Sequence, residues 1–521
     1  MFEALGQLIS WSAKATAVDV KHSDTFGDDA ELWREAEIKE IEGIRKLGVF
    51  TIVEEKPGMK ILGAKMVYTL KADGRRKCRY VVKGYAQQAG VDFKETFSPQ
   101  AHATVARVLL AKAATEDREV YQGDISMAFL YAALEDGEEL YVRGPNGEVW
   151  KLHKALYGLK QAPRQWYLTL KRTLATFGFQ SSLADPGLFT KKLADGQSIW
   201  FLVHVDDFLL SAPKGRVDLV EGVLNFLKSH FSLHDVGEPK VFCGLEIERN
   251  REEGWLKVSQ VKFTEELIKR WLPAGACSRN IPAYQGIKLQ REGMALSEEK
   301  AVEYREIVGS LLWLATRTRP EISYIVGVLS RFFSAPTTEH MQVALDVLRY
   351  LKGCSSLGLV YRKDSSSLHG YSDADWAGDL ESAKSVTSFS MGQLSLGLQS
   401  FRRVWRQALS MLNTCQQDQQ HWLVINTGWW LRMVLEELGF GSREATQMYG
   451  DNNSALSLIY NPMISPKTKH INVAYHYTRE QVEQGELKFD YVPTASMVAD
   501  IFTKALGHVK FTEFRTRLGV L

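Results

Sequence analysis

The sequence predicts a mixed α+β chain of several domains, and three observations predict it. The length is 521 residues, room for about three or four domains at roughly 100–200 residues each. Helical and strand-like periodicities interleave along it, with no repeat of solenoid period. The pattern changes at Pro273-Ala274-Gly275 and again near Leu368-His369-Gly370-Tyr371, where a new αβ pattern begins. Hydrophobic residues make up 45% and charged residues 24%, which excludes a disordered chain.

The elements follow in order. Residues 1–29 are weakly patterned and read as a weakly structured N-terminal segment. Leu32, Trp33, Ile38, Ile41 and Ile44 recur at helical spacing and predict a helix over 31–47. Phe50–Val53, Lys65–Leu70 and Arg79–Val82 read as strands, the last two joined at Ala72-Asp73-Gly74. A helix is expected over 105–115, then a strand over 120–125 ending in a polar corner at Asp124. Residues 167–177 read as a helix. The apolar run Trp200–Val205 stops at Asp206-Asp207 and resumes at Phe208-Leu209-Leu210, the pattern of a hairpin with carboxylates at its tip. Helices are expected over 217–231, 263–272, 304–333 (broken at Pro320) and 340–352.

Charge and cysteines narrow the class. The net charge is +2, from 64 basic and 62 acidic residues, so there is no polybasic signature and any nucleic-acid contact must come from local patches. Cys78, Cys243, Cys277, Cys354 and Cys415 are far apart, without zinc-ligand spacing or a disulfide framework, and imply a reducing compartment. Met1-Phe2-Glu3-Ala4 does not open a signal peptide. No apolar run approaches the roughly 20 residues that span a bilayer. The expectation is a soluble intracellular protein, not secreted and not in a membrane.

Asp124 and Asp206-Asp207 are the residues that suggest chemistry. Phosphoryl transfer to a hydroxyl uses two divalent cations about 3.5–4 Å apart. Magnesium takes hard oxygen ligands and keeps some waters, so two or three carboxylates on rigid elements suffice. A strand-end Asp facing a hairpin Asp pair has that form. An Asp-Asp dipeptide by itself is more often a solvated turn.

The surroundings carry more. Tyr157-Gly158-Leu159-Lys160-Gln161-Ala162-Pro163-Arg164-Gln165-Trp166 lies between the two acidic sites. Together with Asp124–Leu130 and His204-Val205-Asp206-Asp207, it resembles the reverse transcriptase of copia-type LTR retrotransposons. The resemblance continues through Glu95–Pro99, Tyr304–Ser310, Thr318-Arg319-Pro320, Arg349–Gly353, Tyr371–Gly378, Lys469-His470-Ile471 and Ala499–Lys504, in family order from about Ala30. It implies a right-hand polymerase over 30–272 (fingers, palm and thumb), a mostly helical connection over 273–367 and an RNase H-like α/β domain over 368–521. The implied activity is RNA-directed DNA synthesis. The implied cofactor is Mg2+, two per polymerase site, and the implied partners are an RNA template, a DNA primer, the RNA–DNA hybrid and dNTPs. The implied location is cytoplasmic, in a virus-like particle, or nuclear.

Site roles are implied by position. Asp124, Asp206 and Asp207 match the polymerase metal triad. Gln161 matches a residue near the incoming nucleotide, and Phe129 an aromatic under its sugar, where a ring would clash with a 2′-hydroxyl. Arg79 and Lys83 match cations of the fingers hairpin that bind triphosphate; the plain alternative is a solvated strand face. Phe242–Ile247 matches the primer-grip region. Two positions depart: His204 stands where the family has Tyr, and Tyr80 where it has a small aliphatic residue.

Asp373, Asp451 and Asp500 match three of the four RNase H metal ligands. The fourth, a helical Glu, is missing, and Asp418 is the only acid between Lys384 and Glu436. Rereading residues 404–416 one base out of frame permits Val-Ala-Thr-Ser-Thr-Val-Asp-Ala-Glu-Tyr-Met-Ser, which restores the family block. The hypothesis is that 392–428 is translated in a shifted frame and folds poorly, with loss of RNase H activity; ordinary divergence is the alternative. Protease and integrase motifs are absent, so the chain reads as a fragment of a Pol polyprotein. A rival reading is a decayed element that at most binds nucleic acid.

Overall fold

The computed structural model describes residues 17–20, 25, 27, 29–71, 74–135, 137–363, 369–374, 387–391, 398–399, 429–441, 444–460 and 474–521. They form two compact units. One joins residues 17–102 to Arg118–Cys243; the other joins Ala103–Asp117 to Gly244–Leu521.

The strands of the first unit are β1 (Ala17–Val20), β2 (Phe50–Val53), β3 (Ile61–Leu62), β4 (Ala64–Lys71), β5 (Arg76–Val82), β6 (Glu119–Ile125), β7 (Tyr141–Arg143), β8 (Val149–Leu152), β9 (Gln180–Ser181), β10 (Leu188–Lys192), β11 (Ser198–His204), β12 (Asp207–Ala212), β13 (Leu233–Gly237) and β14 (Val241–Phe242). Its helices are α1 (Ala30–Lys46), α2 (Ala162–Thr176) and α3 (Val217–His230). An antiparallel sheet in the order β13-β6-β12-β11-β10-β9 is the floor of the unit. The sheet β1-β4-β5 and the sheet β2-β8-β7-β3 complete it.

β11 and β12 are almost wholly buried, which explains their unbroken apolar runs. Trp166, Leu170 and Leu174 of α2 recur at helical spacing, as do Val220, Val223 and Leu227 of α3. They bury in one core with Phe201 and Phe208, whose rings stack at 5.0 Å. Each such side chain contributes about 1.5–3 kcal/mol. α2 begins five residues before the expected Tyr167, because Pro163 sits in its first turn, where a missing N–H costs nothing.

α1 buries only part of its apolar set and adds acids to it. Leu32 and Ile38 are exposed, while Trp33, Glu40 and Ile44 are buried. The inner stripe carries two acids bonded to the sheet: the Tyr68 hydroxyl donates to Glu37, and the Tyr80 N–H donates to Glu40. A hydrogen-bonded carboxylate can hold a buried position that a bare one cannot.

The second unit contains β15 (Leu245–Asn250), β16 (Trp255–Ser259), β17 (Leu359–Arg362), β18 (His369–Ala374), β19 (Thr387–Met391), β20 (Leu398–Gln399), β21 (Thr446–Gly450) and β22 (Leu487–Tyr491). β15, β16 and β17 pair antiparallel. A five-stranded sheet runs β20-β19-β18-β21-β22, with β18, β21 and β22 parallel. The helical stretch breaks where Pro320 predicts: helices Glu298–Arg317 and Ser323–Ser330 flank a 3-10 turn. Beside that turn a buried Arg319–Glu321 pair closes at 2.7 Å, and the Tyr350 hydroxyl donates to Glu321 at 3.2 Å.

Of residues 392–428, only 398–399 lie among the described residues, paired with Ser388 and Phe389. The readings of the frame-shifted block, of residues 1–16 and of Lys469-His470-Ile471 fall outside the described residues. Among the described residues, no helix is long and apolar enough to cross a membrane.

Candidate active site

Strand pairing in the first unit sets Asp124 against the Asp206–Asp207 hairpin, although the ligand atoms of the three do not all lie within 4.8 Å of one another. In the β6–β12 register Asp207 faces Asp124, and in the β11–β12 hairpin His204 faces Asp207. Asp206 sits in the hairpin turn, its carbonyl accepting the Ile125 N–H at 2.9 Å. Val205 has φ +63°, an outlier for a β-branched residue that costs about 1–3 kcal/mol. Buried Trp166 holds the turn, its indole N–H donating to the Val205 carbonyl at 2.6 Å. The acid pair is therefore aimed by a strained turn locked from α2.

The carboxylates repel one another. Burial, then Asp206 and Asp124, push Asp207 up to about 7 from the ordinary 3.8, against the pull of Lys71. The donor set fits a divalent cation: its ligands are hard oxygens, and their repulsion is what such an ion relieves. Lys77 answers from β5. Burial, Arg79 and Lys71 lower its pKa, while Asp124 and Asp206 raise it.

The raised pKa gives a stability prediction. A carboxyl raised in the fold contributes stability that is present below its unfolded value and lost as pH rises through about 7. Without divalent ions, Asp207→Asn should therefore melt above wild type at pH 8, with the difference closing towards pH 4. Asp207 is solvent-exposed on one side, so screening limits the gain to about 1 kcal/mol. A lower melting temperature for the variant at pH 8 would contradict this.

The other expected site residues are distributed around this centre. The Arg79 guanidinium lies 5.5 Å from the centroid of the Tyr157 ring, and Phe129 meets Tyr157 edge-on at 5.6 Å between ring centroids. Phe129 lies in a short 3-10 turn, Ala128–Tyr131, introduced by Met127 at φ 56°. Lys83 is exposed just beyond β5, its N–H donating to the Gly63 carbonyl at 2.8 Å. Gln161 is fully buried. Its carbonyl oxygen accepts from Gln87 at 3.0 Å; its amide donates to the Asp92 carbonyl at 3.0 Å and to Glu138 at 3.3 Å. This amide is committed to protein groups, so it braces the loops at the start of α2.

Tyr80 also has an explanation. Its ring packs on Trp150 at 5.3 Å, its hydroxyl donates to the Arg143 carbonyl at 2.5 Å, and burial pushes it up to about 12. It fills a hydrogen-bonded core position between β5 and the β7–β8 pair.

In the second unit, Asp373 at the end of β18, Asp451 just after β21 and Asp500 form a second cluster. Among the described residues this is the one set of three whose ligand atoms all lie within 4.8 Å of one another. Thr503 donates to Asp373 at 2.5 Å and Thr494 to Asp451 at 2.7 Å. The Lys504 ammonium lies 2.8 Å from Asp500 and 3.4 Å from Asp373, and Lys510 lies 2.9 Å from Asp500. Burial raises the pKa of Asp373; Thr503 and Lys504 oppose this, and Asp500 and Asp451 add to it. These oxygen donors also fit a divalent cation.

Sequence reasoning passed over Lys77, Tyr157 and Trp166. Lys77 was findable, because two residues before Arg79 on a strand is the same face. Tyr157 opens the Tyr157–Trp166 run, where its residue type alone announces no role. Nothing in the sequence marks Trp166 as the lock on Val205.

Comparison with known proteins gives the family and the fold. Residues 47–285 match the family model "Reverse transcriptase (RNA-dependent DNA polymerase)". The chain is 35% identical over 504 residues to the retrovirus-related Pol polyprotein from transposon TNT 1-94 of Nicotiana tabacum, covering 92% of this chain and 37% of that one. It is 36% identical over 516 residues to the Pol polyprotein from transposon RE1 of Arabidopsis thaliana, covering 94% and 34%. It is 32% identical over 270 residues to a transposon Ty5-1 protein of Saccharomyces cerevisiae, covering 48% of this chain and 82% of that one. The chain thus spans about a third of the length of the two plant polyproteins. Among solved structures, it is similar in fold to a foamy viral protease–reverse transcriptase in complex with double-stranded DNA, with TM-score 0.53, 13% identity and 89% of this chain and 70% of that one covered. The same viral protein in complex with an RNA/DNA hybrid gives TM-score 0.50 and 14% identity, covering 88% and 54%. The chain belongs to the copia-type retrotransposon Pol polyproteins and matches their reverse transcriptase region.

Proposed function

We propose that the chain is an RNA-directed DNA polymerase that joins a deoxynucleotide to a primer 3′-hydroxyl at Asp124, Asp206 and Asp207. The observation that carries this is the β6–β12 register, which sets Asp124 against the hairpin acids beside a Lys77–Arg79–Tyr157 wall. Asp124 and Asp206 would be the principal holders of two magnesium ions, with Asp207 beside them, and ions bound there would supply Lewis-acid activation of the hydroxyl and neutralise charge on the phosphates. Arg79 and Lys77 grip the triphosphate, Arg79 through a planar fork suited to phosphate oxygens. Lys83 extends the cationic edge, and Gln161 braces the loops beneath. The substrates are dNTPs, a DNA primer and an RNA template. The polymerase spans 30–272, the connection 273–367 and the RNase H-like domain 368–521. Primer extension on an RNA template, with Asp206→Asn as control, tests the reading.

Phe129 gives a separate prediction. Backed by Tyr157, its ring closes the space a 2′-hydroxyl would need. Phe129→Ala should lower discrimination against ribonucleotides by about 10- to 200-fold, the scale of a steric pocket difference. Unchanged dNTP:rNTP ratios of kcat/KM would remove Phe129 from this role.

One observation favours a second reading for the C-terminal part. The sequence offers three of four expected acids, and the composition of block 392–428 differs from both flanks, as a shifted reading frame would make it. A two-metal site missing one acid should be severely impaired. We therefore expect no RNase H activity, and an RNA–DNA hybrid-cleavage assay with normal turnover would reject that expectation. The gene's nucleotide sequence across codons 385–430 tests the frame shift.

A further inference from the structure

Glu40 stands out in the first unit as an acid on the buried stripe of α1, with 6% of its surface exposed. It does not form a salt bridge there. Its Oε1 instead accepts the backbone N–H of Tyr80 at 3.2 Å. β5 pairs with β4 on one side only, so alternate N–H groups of β5 point away from the sheet. Two of these outward groups are taken in sequence. Tyr80 N–H goes to Glu40, and Val82 N–H goes to the Tyr157 carbonyl at 2.7 Å. Arg79 immediately precedes the first anchor, with its side chain on the face opposite to that of Tyr80.

The surroundings of Glu40 repeat this pattern. Burial raises its pKa, the Tyr80 N–H opposes that, and the cations that oppose it further are Arg79 and Lys77. Arg79 is thus balanced by a carboxylate bonded to backbone and not to its own fork. Its Nε is buried without a hydrogen-bond partner, and its plane is steadied by the Tyr157 ring. α1 also reaches the sugar-side loop: a Cβ on Gly43 would lie 2.5 Å from the Met127 side chain, two residues before Phe129.

We propose that Glu40 is a positioning residue for nucleotide selection, anchoring β5 and supplying the countercharge that keeps the Arg79 fork open for a triphosphate. It touches neither substrate nor the reacting atoms. This rests on the polymerase reading for its substrate, and on the geometry alone for its effect on Arg79. Glu40→Gln keeps the acceptor for Tyr80 N–H and removes the charge; Glu40→Ala removes both.

The full chain and both variants are compared by steady-state extension of an RNA-templated DNA primer. Glu40→Ala should raise KM for the dNTP about tenfold, the loss expected for one charge-assisted contact. Its kcat should stay within about threefold and its primer–template affinity should not change, because only the nucleotide cation is displaced. Glu40→Gln should fall between Glu40→Ala and wild type, because it restores the β5 anchor and not the countercharge. An unchanged KM in Glu40→Ala overturns the proposal, as does a parallel loss of KM, kcat and primer–template affinity in both variants, which is general loosening. A second readout needs no turnover: modification of Arg79 by phenylglyoxal, followed by peptide mass spectrometry. Its rate should rise at least about threefold in Glu40→Ala, because loss of the β5 anchor loosens the strand and opens the guanidinium to the reagent. Equal rates reject the proposal. An inactive wild type whose Arg79 still responds would reject the polymerase reading and leave the positioning role standing.

Discussion

Asp124→Asn should reduce nucleotide incorporation at least about a thousandfold, some 4 kcal/mol of transition-state stabilisation. Asp124 is the one carboxylate of the site carried on a different strand from the other two, and the β6–β12 register sets it opposite Asp207. The amide that replaces it is nearly isosteric but offers a neutral oxygen where a hard anionic ligand is required. The fold should not suffer. Asp124 is one of the charges that push Asp207 up, so the substitution relieves repulsion. The expected combination is a melting temperature equal to or above wild type with activity at background. A variant that keeps a tenth of wild-type activity would move the chemistry away from Asp124, and a variant that fails to fold would contradict the electrostatic account.

Gly158→Ala should be among the most damaging single methyls in the first unit. Gly158 has φ +88°, and a Cβ there would lie 2.2 Å from the Val82 carbonyl and 2.7 Å from Val81 Cγ1. The left-handed backbone alone costs an L-residue about 1–2 kcal/mol, and the overlap forces the two chains apart, for about 3 kcal/mol or more in total. The contact matters because the neighbouring Val82 N–H to Tyr157 carbonyl bond, 2.7 Å long, joins β5 to the ring on which Arg79 rests. A lower denaturant midpoint and a raised KM for dNTP are expected together. A midpoint within about 0.5 kcal/mol of wild type, the range of an innocuous surface change, would contradict the packing.

Some of this was legible in the sequence. β11 and β12 were readable because they are buried along nearly their whole length, so their apolar runs are continuous and only the acids interrupt them. The break at Pro320 follows from covalent geometry. Helix α1 was legible from its spacing, but apolar periodicity cannot foresee that Glu37 and Glu40 find donors on the sheet, which lets acids face inward while Leu32 and Ile38 face out. The acids were placed on the right elements, but the Val205 strain and its Trp166 lock depend on a contact across 39 positions of chain. Gln161 shows a limit of family position: sequence gives its place, while only packing reveals that Gln87, Asp92 and Glu138 take up its amide. The grouping of helix Ala103–Thr115 with residues beyond 244 likewise had no local signal.

The central claim is that this chain polymerises DNA on RNA at the Asp124–Asp206–Asp207 site. Single-turnover addition of one dNTP to a DNA primer annealed to an RNA template, with Mg2+, tests it most directly. The account predicts extension by the wild-type chain and none above background by Asp206→Asn at equal folded concentration. Extension by neither protein, or by both at the same rate, would contradict it.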